Sequence, residues 1–402
     1  EGAFSSNLTI SGMTATFGQA VADDVGVGDV IQYSSSGGPS PDSIAVIHGR
    51  VNSNQFTVCN AQGDTPTATS FSSPHWSIFR AYTSLYDAER GEENTGIDAG
   101  LRNFDAWSGG LDLVSYNDVW NIACYGDGAD TDVVTFTGWN TDDTHYIRIY
   151  TPVLASEVGT SQRHAGTWSD SAYRMEIADT DCINIRANHL RIEGLQFRFT
   201  SVATDTASLV WVTTLLASDV RISHSIFRGV SSAPAIANNA IYLGSAGSGN
   251  LRIWNNMFYD FAWNGSTTGI NLADSGFTTY VYNNTLFNCT TGIARNAGTV
   301  VAKNNIAQNC ANGYSGSFTG SEYNLSDLAA DAPGSNSKNY VAVNFANARA
   351  GDFRLSSNDT AALGAGTNLS ADGNLAFNDD VEGEARFSTL SMGADDNGEN
   401  AP

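Results

Sequence analysis

Lysine is nearly missing from this 402-residue chain: Lys303 and Lys338 are its only lysines, so the 19 basic residues are almost all arginine. Against 42 acids they leave a formal net charge of −23. Such a field repels phosphate backbones, which argues against nucleic acid and anionic membrane as partners. An anionic polysaccharide would need a local arginine patch or bridging Ca²⁺. No apolar run approaches the roughly 18 residues that a membrane-spanning helix needs. The five cysteines, Cys59, Cys124, Cys182, Cys289 and Cys310, are far apart, with no CxxC pair and no histidine cluster, which speaks against a zinc or redox centre. GxSxG, P-loop and dinucleotide fingerprints are missing too, leaving hydrolase triads and nucleotide chemistry without support.

What the chain does have is turn chemistry. Forty glycines, with many Asn, Ser and Thr among 41% hydrophobic residues, read as β structure broken by frequent turns and make the fold class all-β. A chain starting at Glu1 without an initiating Met reads as a mature product whose signal peptide has been removed, an expectation of extracellular or cell-surface life.

The second half repeats itself. Leu190–Phe197 (LRIEGLQF) aligns with Val220–Phe227 (VRISHSIF) and with Leu251–Phe258 (LRIWNNMF), and then with Tyr280–Phe287 and Val300–Ala307, at intervals of 30, 31, 29 and 20 residues. Each copy is a short alternating strand, a polar corner and a second apolar pair, the pattern of a coil whose loops vary while its strands stay in register. Three corners carry Asn255-Asn256, Asn283-Asn284 and Asn304-Asn305. Asn tolerates left-handed backbone, and its amide can bond to the coil above, so the pairs are expected to form an Asn ladder. Gly269-Ile270, Gly292-Ile293 and Gly313-Tyr314 open the next strand of each coil. Parallel stacking at about 4.8 Å brings Cys289 and Cys310 within disulfide reach; two stacked core thiols are the alternative.

The repeated strand, Asn-Asn corner and Gly-Ile strand resemble the right-handed parallel β-helix superfamily that includes pectate lyases and phage tailspikes. The C-terminal stretches Asp352–Leu355, Ala365–Asn368, Asp380–Arg386 and Met392–Asp395 resemble the segment that closes many secreted β-helix repeat proteins. The resemblance implies a β-helix over 116–402. It leaves activity open, since that superfamily holds enzymes, adhesins and fibres. Residues 1–80 read as a small β-barrel or sandwich, with strands at Leu8–Ile10, Thr14–Phe17, Asp29–Tyr33, Ile44–Val51, Gln55–Val58 and Trp76–Phe79. Within 81–115, a linker, Ser84–Trp107 is the one plausible helical region, with Ile97, Leu101 and Phe104 at helical spacing, and predicts a short helix capping the solenoid.

Arg191, Arg221 and Arg252 occupy one repeat position and alternate with inward residues, so they should form an outward column on successive coils. With Trp254 they are the candidate contacts for a carboxylated sugar; a solvated face balanced by Glu193 and Asp219 is the plainer reading. Asp127, Asp130 and Asp132 have the spacing of a Ca²⁺ loop, although Asp in turns usually serves the local backbone. No cofactor is required by these motifs. Two functions fit: a non-catalytic structural or adhesive extracellular protein, whose Phe4–Phe17 strand could pair with other copies of itself, or a lyase or hydrolase acting on an acidic extracellular polysaccharide.

Overall fold

The structure is a computed structural model and describes residues 6–69, 75–105, 107, 109–201, 206–214, 217–229, 238–244, 247–262, 267–386 and 390–396. The chain divides into two compact units. The first comprises Glu1–Leu111, Asn121–Tyr125 and Thr151–Arg163; the second holds the remainder.

All six strands expected in the first unit are present: Leu8–Ser11, Thr14–Phe17, Asp29–Tyr33, Ser43–Asn52, Gln55–Cys59 and Trp76–Arg80. They form one curled antiparallel sheet rather than the two of a sandwich, with Leu8, Phe17, Tyr33, Phe56 and Trp76 in its core. The second half of the anticipated helix does not form. The helix covers Leu85–Arg90, started by the Ser84 hydroxyl accepting the Asp87 amide and ended by Gly91 at φ 64°. Beyond it, Asn94 and Asp98 accept the amides of Gly96 and Gly100 at 2.9 Å each, so Ile97 and Leu101 sit in turns and Phe104 in irregular backbone. Such side-chain bonds compete with the helical ladder and here outweigh the apolar spacing.

The second unit is a right-handed parallel β-helix with three sheets. Its first sheet includes Ile147–Tyr150, His189–Glu193, Ser218–Ser223, Gly249–Trp254, Phe277–Tyr282 and Thr299–Lys303. Every neighbouring pair is parallel, and Leu190, Val220, Leu251, Thr279 and Val300 stand opposite one another. The fourth repeat therefore begins at Thr279, one residue before the sequence alignment placed it. Thr279 points inward, 1% exposed, and Tyr280 outward. The corners consequently recur at 30, 31, 28 and 21 residues.

Alternation sends Ile149, Ile192, Ile222, Ile253 and Val281 into the core at 0–1% exposure. The second sheet adds a stack of Phe197, Phe227 and Phe258, with ring centroids 4.9 and 4.8 Å apart and planes within 8°. That distance matches the strand spacing, so one ring per coil packs flat on the next. The third sheet aligns Ile270, Ile293 and Tyr314, each just after its glycine. Cys289 and Cys310 are free thiols in this core, 1% and 4% exposed. Their mutual hydrogen bond, then burial, holds the Cys289 thiol well above its usual range.

Candidate functional site

The corner between the first and second sheets is built by two asparagines with different tasks. The first of each pair, Asn255, Asn283 and Asn304, has φ of 52°, 50° and 56°, the left-handed turn that swings the chain from one sheet to the next. The second points inward. Asn256 donates to Asn284 Oδ1 at 3.0 Å, Asn284 to Asn305 Oδ1 at 3.1 Å, and Asn305 to Asn324 Oδ1 at 2.9 Å. Each acceptor oxygen also takes the backbone amide of the asparagine below. Asn324 was missed as a rung because Tyr323, not a second Asn, holds the left-handed place before it, at φ 55°.

The left-handed asparagines turn their amides outward to hold the C-terminal segment. Asn255 Nδ2 donates to the Asp379 carbonyl (2.9 Å), Asn283 Nδ2 to the carbonyls of Ser391 (3.1 Å) and Gly393 (3.0 Å), and Asn304 Nδ2 to that of Thr367 (2.9 Å). Arg386 pins the segment from behind: its buried guanidinium donates to the carbonyls of Asp379, Gly393 and Ala394 and to Asn255 Oδ1. His224, in the same left-handed position one coil earlier, faces Asp379 at 3.3 Å, and its carbonyl lies 2.8 Å from His164 Nε2.

On the outer face of the first sheet, Arg148, Arg191, Arg221 and Arg252 form one in-register column that Tyr280 continues. Arg148 joins the set because its coil matches the pattern only in space. Its guanidinium bonds Glu193 Oε2 at 2.7 Å and lies over Tyr150. Arg221 pairs with Asp219 at 2.6 Å; Arg252 also reaches Asp219, and donates to the Asn374 carbonyl at 2.9 Å. Asp143 stands at the edge, 3.1 Å from His189. Arg191 differs from its neighbours. It stacks on Tyr146, 3.4 Å from the ring centroid, and among the described residues its guanidinium makes no hydrogen bond or ion pair. Burial first, then Arg221, pull its pKa below the usual guanidinium range.

The column is open for only part of its length. Tyr282 points outward yet is 0% exposed, because Leu369 and Leu375 of the C-terminal segment lie over it with Trp254, Tyr280, Val301 and Phe377. Trp254 packs against Phe377 at 6.3 Å and His224 at 6.1 Å, so the ring expected to meet sugar meets the protein's own chain. Lys303, one coil further, is held by Asp372 at 3.1 Å. The segment therefore covers Arg252 and Trp254 in part: the Arg252 side chain is 17% exposed against 34% for Arg221. Phe4, at the start of the strand expected to pair with other copies, lies outside the described residues.

The acids expected to form a calcium loop are not gathered. Asp130 is buried, accepting the Tyr173 hydroxyl at 2.8 Å and the Asp132 amide at 3.1 Å, while Asp127 and Asp132 are exposed. The structure brings together Asp380, Glu382 and Asp395 instead, with carboxylate oxygens within 4.8 Å of one another. Burial, then Asp395 and Asp380, push the Glu382 carboxyl up to about 9. Asp380 and Asp395 serve the backbone of the closing segment, accepting the Glu384 and Leu355 amides.

No protein-family model matches the chain, and no curated protein matches it. Among solved structures, one described as the crystal structure of pectate lyase Pel9A is similar at 13% identity and a TM-score of 0.31, over 69% of this chain and 85% of that one. No described helix is long and apolar enough to cross a membrane.

Proposed function

We propose that this protein is a non-catalytic, extracellular adhesive β-helix that holds an acidic polysaccharide along the arginine column of its first sheet. The observation carrying this reading is Arg191, a half-buried guanidinium stacked on Tyr146, flanked by Arg148 and Arg221 and, among the described residues, in no ion pair or hydrogen bond, with Asp143 acting on it only at longer range. A planar fork of N–H donors fits a carboxylate bidentately, and stacking on a ring fixes the plane of that fork. Four guanidiniums face three carboxylates, Glu193, Asp219 and, at the edge, Asp143, so this strip carries a small positive excess on a chain of net charge −23. The chain's own field disfavours large anions elsewhere, and the column supplies a place where one is accepted.

The test is electrophoresis of the purified protein through gels containing polygalacturonate, alginate or a neutral glucan, with the same incubations analysed for cleavage products. Retardation by at least one polyuronate, none by the glucan and no products is the expected result. Equal mobility in all gels refutes acidic-glycan binding, and release of shorter chains that ceases in Arg191→Ala would make the protein a polysaccharide-degrading enzyme.

A further inference from the structure

The arginine column is blocked at one end by the protein's own C-terminal segment, and we infer from this that the site takes the end of an acidic polysaccharide chain rather than its middle. The inference rests on the polysaccharide reading above and concerns how such a chain can lie. One guanidinium is presented per coil, about 4.8 Å apart. A chain that uses several of them must run along the column, across the strands, with its carboxylates meeting successive rungs.

Following that path past Arg221, the ligand reaches a wall. The Asn374 carbonyl already occupies Arg252 Nε at 2.9 Å, and in the adjacent outward row of Trp254, Tyr282 and Lys303 the Asp372 carboxylate already occupies Lys303 at 3.1 Å. Between those two polar contacts, Leu369, Leu375 and Phe377 lie on the outward faces of Trp254, Tyr280 and Tyr282. The segment thus fills the positions that further sugar units would need, with an oxygen acceptor on each cation. It is not a loose cover. Arg386 and the three left-handed asparagines anchor it from the corner side, and Val381 and Ala394 pack with Ile226, Met257 and Tyr259 of the second sheet. A chain running on through the column would have to displace all of these contacts, whereas a chain terminus stops against Leu375 and Phe377 with Arg148, Arg191 and Arg221 beside its last units.

The experiment is a length series of purified uronate oligomers, from the monomer to about ten residues, titrated into the wild-type protein, followed by sedimentation with a long polyuronate of known chain number. An end site predicts affinity per chain that rises over the first three or four units and then stays flat. It also predicts a limiting stoichiometry of one protein per long chain, whatever the chain's length. Many proteins per chain, in number growing with length, overturns the end-binding inference and leaves the polysaccharide reading standing. If neither the oligomers nor the polymer bind, the polysaccharide reading fails and this inference fails with it.

Discussion

Asn284 is the residue on which the corner turns most sharply into energetics. Its oxygen accepts both the amide and the side chain of Asn256, while its own amide donates to the carbonyls of Ile253 and Tyr282 and to Asn305. All of these groups are buried, so removing the side chain orphans several at once, and each orphan costs about 1–3 kcal/mol. Asn284→Ala is expected to lower stability in denaturant unfolding by about 3 kcal/mol or more. Asn368→Ala, at an exposed turn, should stay within about 0.5 kcal/mol. Equal effects would mean that the ladder contributes no more than surface turns do. This motif was legible in the sequence because a parallel solenoid repeats one chemical problem on every coil, and the same residue solves it each time. Arg191 was legible only as a position. Which of the column's arginines keeps a free guanidinium depends on Glu193, Asp219 and Asn374, and the last of these is far away in sequence.

At the scale of elements, the C-terminal segment joins the strained and the charged parts of the molecule. Its anchor combines Arg386 with a crowded set of carboxyls, in which Glu382 titrates near 9 because of burial and its neighbours Asp395 and Asp380. The folded pKa lies above the unfolded value of 4.5. Stability from this group is therefore fully present below about 4.5 and is lost as pH rises through 9. Glu382→Gln mimics the protonated form, so its melting temperature should match wild type near pH 4.5 and exceed it progressively towards pH 9. A constant difference across that range would show that Glu382 is already ionised in the folded protein. The motifs around Asp380–Arg386 and Met392–Asp395 were visible in the sequence as a closing segment, but not the surface they close upon. A strand announces its partner through its period; a strap held by carbonyls and single side chains carries no period. The lost second half of the helix after Arg90 has the same lesson in reverse: Ile97, Leu101 and Phe104 had the spacing, and the turns of Asn94 and Asp98 took the backbone.

For the whole molecule, charge and site pull in opposite directions. A net charge of −23 repels an acidic polymer at long range, and the arginine column attracts it at contact. The fold follows from repeats that any parallel solenoid must keep, whereas the function depends on which guanidinium of the column keeps no ion-pair partner once Arg148, Arg221 and Arg252 have found theirs. The most direct test is a calorimetric titration of a uronate trimer into wild type and Arg191→Ala, with melting temperatures measured alongside. Hydrogen bonds to a charged partner are worth about 1.5–3 kcal/mol, so the substitution should weaken binding at least tenfold while leaving the melting temperature within a few degrees. Unchanged affinity in Arg191→Ala would contradict the account, because binding would then owe nothing to the open guanidinium on which it rests.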